Sequence, residues 1–196
     1  GADILDGVQN DVDVSMRQVL KTKEKTLIAE KCSQHIQSGD SIFLDGSTTC
    51  WFVARQLANK NLTVLTTSLQ IATILAASPT ISLILIGGAF SPKSMAFLGD
   101  NACRALSNYY VDKAFISCRS VSMENGLTDV SEGEAAIHRL ITQRSNRTFL
   151  VVDHAKVGPT SFACACGLDS IDAMICDKPL PQEWQDYLSG KNIAFY

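Results

Sequence analysis

Apolar residues follow two rhythms along this chain. In "KEKTLIAEKCSQHIQSGD" (23–40), Leu27, Ile28, Cys32 and Ile36 share one helical face, and Gly39 marks the stop. "SIFLD" (41–45) is a short apolar run without alternation. A loop of small residues then opens "CWFVARQLANK" (50–60), where Trp51, Phe52, Ala54 and Leu57 return to helical spacing. The unit recurs as "LTVLTTS" (62–68) and "LQIATILAAS" (69–78), with Pro79 blocking the helix before the strand "ISLILIGG" (81–88). A Gly- and Pro-punctuated excursion follows, and "DNACRALSNYY" (100–110) and "DKAFISC" (112–118) then predict helix and strand. "EGEAAIHRLITQRS" (132–145) predicts a helix with Ala135, Ile137, Leu140 and Ile141 inward, and "RTFLVVD" (147–153) a strand. The tail supplies one more strand, a helix begun by Pro181 and a final short strand. Strands without alternation, separated by helices, require a parallel sheet covered on both faces. The expected fold is therefore α/β and Rossmann-like, a mostly parallel sheet of six or seven strands flanked by helices.

Composition fits one such domain. Of 196 residues, 46% are hydrophobic and 19% charged, with 12 Gly and 5 Pro, in the range of globular proteins. The longest apolar runs fall far short of the roughly 18 to 20 residues of a membrane span. The N-terminus "GADILDGVQNDVDV" is acidic and polar, unlike a signal peptide. Residues 1–16 are expected to be a linker remnant and residues 17–196 the folded domain. The seven cysteines are scattered without C-x-x-C spacing, and the three histidines complete no metal motif. They are read as plain thiols in a reducing cytoplasm, with no metal and no cofactor. A net charge of −3 makes the chain by itself a poor match for a phosphate backbone.

In open α/β sheets, ligands bind beyond the carboxyl ends of the strands. There the sequence places Asp45, Gly46, Ser47, Thr48 and Thr49, then Thr66, Thr67 and Ser68, then Gly87 and Gly88. Ser117, Cys118 and Arg119 follow, and after them Asp153, His154 and Lys156. Each also has an ordinary structural role, since Ser or Thr before a helix is a cap worth about 1 kcal/mol and paired glycines are turns. Three consecutive strands ending in small or hydroxylated residues leave room for a ligand. Helix-start N–H groups, hydroxyls and a lysine suit a phosphate. Asp45, Glu134 and Asp153 are expected to accept hydrogen bonds from sugar hydroxyls.

The segments "EKTLIAEKCSQHIQSGDSIFLDGSTTCWFVARQL", "LTVLTTSLQIATIL", "ISLILIGGAF", "FLGDNACRAL", "VDKAFISC", "NGLTD", "EAAIHRLI" and "LVVDHAKVG" together resemble the C-terminal effector domain of the DeoR family of bacterial sugar-operon repressors. The resemblance implies a fold related to ribose-5-phosphate isomerase and the CoA transferases, a phosphorylated sugar as effector, and a homo-oligomer, dimer or tetramer. It also implies operator binding through an N-terminal winged helix-turn-helix, which is expected to be missing from this chain. Carried over by position, the family's phosphate loop falls on Asp45 to Thr49, and its strand-end pair on Thr67 and Ser68. Its paired glycines fall on Gly87 and Gly88, its later glycine on Gly126, its acidic residue on Glu134, and its Asp-x-x-Lys on Asp153 and Lys156. Ser68 stands in place of a usual Asn, His138 in place of a common Lys, and Arg119 either reads a second ligand group or covers the surface. "STTCW" and "ISC" look most like fucose-operon regulators, which implies a deoxyhexulose phosphate. The alternative is a sugar-phosphate isomerase using Asp45, Glu134 and Lys156, but the Gly-rich run that would bind an enediolate is missing around Gly126. A non-enzymatic sensor is the expectation.

Overall fold

Seven strands form one wholly parallel sheet in the computed structural model, which describes Met16 and residues 19–196. The reading of residues 1–16 as a linker lies, apart from Met16, outside the described residues. In chain order the first elements are α1 (Thr22–Ser33), β1 (Ser41–Leu44), α2 (Thr48–Arg55), β2 (Leu62–Thr66), α3 (Leu69–Leu75) and β3 (Ile81–Leu85). A hairpin of β4 (Ala89–Ser91) and β5 (Ala96–Leu98) precedes α4 (Asp100–Leu106) and β6 (Val111–Ile116). Then come β7 (Ser120–Ser122), β8 (Gly126–Asp129), α5 (Glu132–Thr142), β9 (Ser145–Val151) and β10 (Ala163–Cys166). The chain ends with β11 (Ala173–Ile175), α6 (Gln182–Gly190) and β12 (Ala194–Phe195).

The order across the sheet is β12-β11-β9-β6-β1-β2-β3. From the β1/β6 junction the strands are laid outward in both directions, so a crevice opens where the order reverses. Alternate residues of each strand feed two separate cores. Ile42, Leu44, Phe115 and Phe149 pack with Ile28 of α1, Trp51 of α2 and Ile71 of α3. Phe43, Ala114, Ile116 and Leu150 pack on the other face with Leu106 of α4, Ile137 and Ile141 of α5, and Trp184 of α6. Phe115 and Phe149 stack with ring centroids 4.8 Å apart, tying β6 to β9.

Two parts of the fold escape the sequence pattern. The excursion before "DNACRALSNYY" is the β4–β5 hairpin, and β10, β8 and β7 form a small antiparallel sheet. Strands of three or four residues are too short to show a period of two. The first helix also ends at Ser33, ahead of Gly39: the chain tightens into three-residue turns, with the His35 and Ile36 N–H groups donating to the Cys32 and Ser33 carbonyls, and the Lys60 ammonium donates to the Ser33 and Ile36 oxygens at 2.6 Å each.

Candidate functional site

The crevice between β1 and β6 is closed by one buried carboxylate. Asp45, the first residue past β1, accepts the Ser47 N–H at Oδ1 (2.9 Å) and the Ser117 N–H, past β6, at Oδ2 (2.7 Å). Ser47 in turn caps α2 by accepting the Cys50 N–H at 3.2 Å. The hairpin folds over this junction, since the Leu69 N–H donates to the Met95 carbonyl and the Phe97 N–H to the Thr67 carbonyl.

His138 completes the arrangement from the buried face of α5. Its Nε2 lies 2.8 Å from Asp45 Oδ2 and its Nδ1 2.8 Å from Asp129 Oδ2, at the end of β8. Two carboxylates on opposite ring nitrogens are both satisfied only when each nitrogen carries a proton, which is the imidazolium. Burial alone would lower the His138 pKa, but the Asp129 and Asp45 carboxylates outweigh it and hold the ring well above its ordinary value. Burial pulls Asp45 the opposite way. The hydrogen bonds from His138, Ser47 and Ser117 win, leaving it well below the usual carboxylate range.

A cavity of about 90 Å³ opens above these groups. Its lining includes two cationic donors, Lys156, whose Nζ reaches Ser117 Oγ at 3.4 Å, and Arg119. It also includes the carboxylates of Asp129 and Glu134 and the apolar side chains of Ala96, Leu98 and Ile137. Ser94 lines the cavity too, and its buried Oγ has no hydrogen-bond partner. The Cys118 thiol faces the same space. Burial, reinforced by Asp129, pushes it well above its ordinary value, so it stays protonated. Among the described residues no cluster of His, Cys, Asp or Glu could hold a metal ion, and no helix is long and apolar enough to cross a membrane.

The family model of the DeoR C-terminal sensor domain matches residues 20–178. The chain belongs to that family. An uncharacterized HTH-type transcriptional regulator, YulB, of Bacillus subtilis is 34% identical over 98% of this chain and 75% of its own length. The glycerol-3-phosphate regulon repressor of Escherichia coli is 28% identical over 90% of this chain and 71% of its own length. Among solved structures, ribose 5-phosphate isomerase A of Methanocaldococcus jannaschii aligns with a TM-score of 0.50 at 18% identity. That alignment covers 68% of this chain and 53% of the isomerase, so the likeness is one of fold and spans about half of that enzyme.

Of the residues singled out in the sequence, the sensor domain brings Asp45, Gly46, Ser47, Thr67, Glu134 and Lys156 to the cavity. Thr48 and Thr49 begin α2 with their side chains buried, and neither lines the cavity. Ser68 is a cap, accepting the Ile71 N–H at 3.0 Å. Gly87 and Gly88 form the turn into β4, and a Cβ on Gly88 would come within 2.7 Å of the Leu98 carbonyl oxygen. Gly126 opens β8, directly after the turn from β7. Its φ is +66°, and a Cβ there would lie 2.3 Å from the Cys166 carbonyl oxygen. Asp153 caps the turn His154–Lys156 through the Ala155 N–H at 3.0 Å. Asp45, expected to accept from sugar hydroxyls, lines the cavity while accepting hydrogen bonds from Ser47, Ser117 and His138.

Sequence reasoning missed Ser94 and Asp129 and gave His138 no role in the site. For His138 a signal existed: it follows Ala135 by three residues and precedes Ile141 by three, which sets it on the inward face of α5. Asp129 is reached through β8, and Ser94 through the hairpin, neither of which the pattern revealed.

Proposed function

We propose that this cavity is the effector site of a DeoR-type transcriptional regulator of a sugar-utilisation operon, and that it takes a phosphorylated sugar. The observation that carries the reading is that one cavity lining holds both cationic donors and carboxylates. Lys156 and Arg119 suit a phosphoryl group. Asp129, a lining residue whose Oδ2 is engaged by His138, suits hydroxyls. Ser94 Oγ adds an unused polar group. A relative named for glycerol 3-phosphate agrees with a small phosphorylated ligand. A deoxyhexulose phosphate is the first sugar to test.

Two groups argue against the isomerase reading. Asp45 is held as an ion by three protein donors and His138 is a cation between two carboxylates, so neither is set to take a proton from a sugar carbon. Glu134, the other carboxylate of the candidate isomerase set, lines the cavity, and a turnover assay separates the two readings. Binding would instead draw the Asp45 loop and the Lys156 turn together. In the full-length protein, in the cytoplasm, that closure would alter operator DNA binding. A ligand preference of about 1.4 kcal/mol for one state corresponds to a tenfold change.

A thermal-shift panel of phosphorylated and unphosphorylated sugars tests this. The matching sugar phosphate at 100 times its Kd should stabilise the domain by about 2.7 kcal/mol, and Lys156→Ala should remove that shift while leaving the unliganded melting point in place. Equal stabilisation by the unphosphorylated sugar, an undiminished shift in Lys156→Ala, or turnover of the sugar phosphate would each overturn the reading.

A further inference from the structure

Between Lys60 and Lys93 the sequence holds no charged residue and no histidine over 32 residues, in a chain that is 19% charged overall. Core burial does not account for this. Thr73, Ala77, Ser82, Leu85 and Phe90 are exposed, Leu85 at 38% and Phe90 at 46%, and Ile81, Leu83 and Ile84 are only half-buried. The charge-free stretch therefore reaches the surface along α3, β3 and β4.

β3 is also an edge. It pairs with β2 in unbroken register from Ile81 to Leu85 and with no other described strand. The Leu62 N–H donates to the Thr80 carbonyl and the Ile86 N–H to the Thr66 carbonyl, so the even-numbered backbone groups of this segment face β2. By alternation, the N–H and C=O groups of Ile81, Leu83 and Leu85 point away from the sheet. Edge strands are normally blunted by shortness, charge, proline or a bulge. The opposite edge, β12, has only two residues. β3 has five and carries none of these devices.

We propose that β3 is the seam of a homodimer, in which a second copy of this chain adds its own β3 antiparallel across a two-fold axis at Leu83. Leu83 then opposes its own counterpart, and Ile81 opposes Leu85. Two features select a second copy as the occupant. A row of outward N–H and C=O groups on alternate residues is complementary to itself under that operation. A surface stripped of charge also matches another charge-free surface, the pattern of homodimer interfaces, which are more apolar than transient ones. The axis stands perpendicular to the sheet, so each α3 comes beside its copy, where Thr73 and Ala77 leave room. The seam lies two strands from β1 and does not depend on the identity of the effector.

Sedimentation equilibrium on the 196-residue chain tests the assignment. A dimer is expected, with Leu85→Lys and Leu83→Pro each raising its dissociation constant at least tenfold. The proline removes only an outward N–H, so the ladder with β2 survives, and circular dichroism verifies that both variants fold. Phe162→Lys, at a side chain 83% exposed on a distant loop, should leave the dimer unchanged. Amide exchange gives a second readout without substitution: the Leu83 and Leu85 amides should slow as protein concentration rises. A monomer at all concentrations, a dimer indifferent to Leu85→Lys, loss of dimer in Phe162→Lys, or concentration-independent exchange at Leu83 and Leu85 would overturn the proposal.

Discussion

Asp45 at the end of β1 and Asp153 at the end of β9 begin with the same local device. Each is 2% exposed, and each accepts, through Oδ1, the N–H two residues ahead, Ser47 at 2.9 Å and Ala155 at 3.0 Å. Their surroundings then part. Asp45 also receives the Ser117 N–H and the His138 ring, and it braces the crevice between two strands. Asp153 pairs with the partly exposed Lys21 ammonium at 3.9 Å and supports one turn, which in turn presents Lys156 to the cavity. A turn signature thus says that an aspartate is buried. Whether it organises a site depends on what the rest of the chain brings against its second oxygen.

The sharpest way to break this contrast is to remove the histidine. His138→Leu leaves Asp45 and Asp129 buried without their shared counter-ion, and urea unfolding should report a loss of about 3 to 5 kcal/mol. The loss should vary with pH in a defined window. Asp45 lies below its ordinary value, so its contribution is complete above about pH 3.9 and fades as pH falls toward its folded value. His138 lies above its ordinary value, so its contribution is complete below about pH 6.5 and fades as pH rises toward its folded value. The gap between wild type and His138→Leu should therefore be widest between about pH 4 and 6.5. A gap that stays flat from acid to alkaline pH would mean that His138 packs there as a neutral ring.

A smaller effect is expected from Asp45→Asn, which keeps the shape but removes the charge that His138 faces. It should cost about 1.5 to 3 kcal/mol, the worth of a hydrogen bond to a charged group. Asp153→Ala should cost least, about 1 kcal/mol, as for a lost cap. If Asp153→Ala proved as damaging as Asp45→Asn, the two strand ends would be equivalent and the contrast would fail.

Much of the sheet was legible from the chain. The seven parallel strands correspond to apolar runs, and one such as "SIFLD" is apolar because both faces of its strand are buried. The small antiparallel sheet and the hairpin were not legible, since strands as short as Ser120–Ser122 and Ala96–Leu98 carry no usable period. That loss extended to the cavity, because Ser94 and Asp129 enter through those elements. Gly88 and Gly126 show the converse. Their places in the sequence suggested ligand contact, whereas close backbone neighbours, the carbonyls of Leu98 and Cys166, are what require glycine.

By itself the sequence determined that this chain alternates strands and helices, buries two apolar layers, and gathers small and hydroxylated residues at strand ends. Those properties follow from the spacing of side chains along a local backbone. Only the tertiary structure decided that Asp45, 93 residues from His138 in the chain, joins His138 and Asp129 in one buried network. A carboxylate and an imidazole select each other through distance and dielectric, and neither is a property of neighbours in sequence.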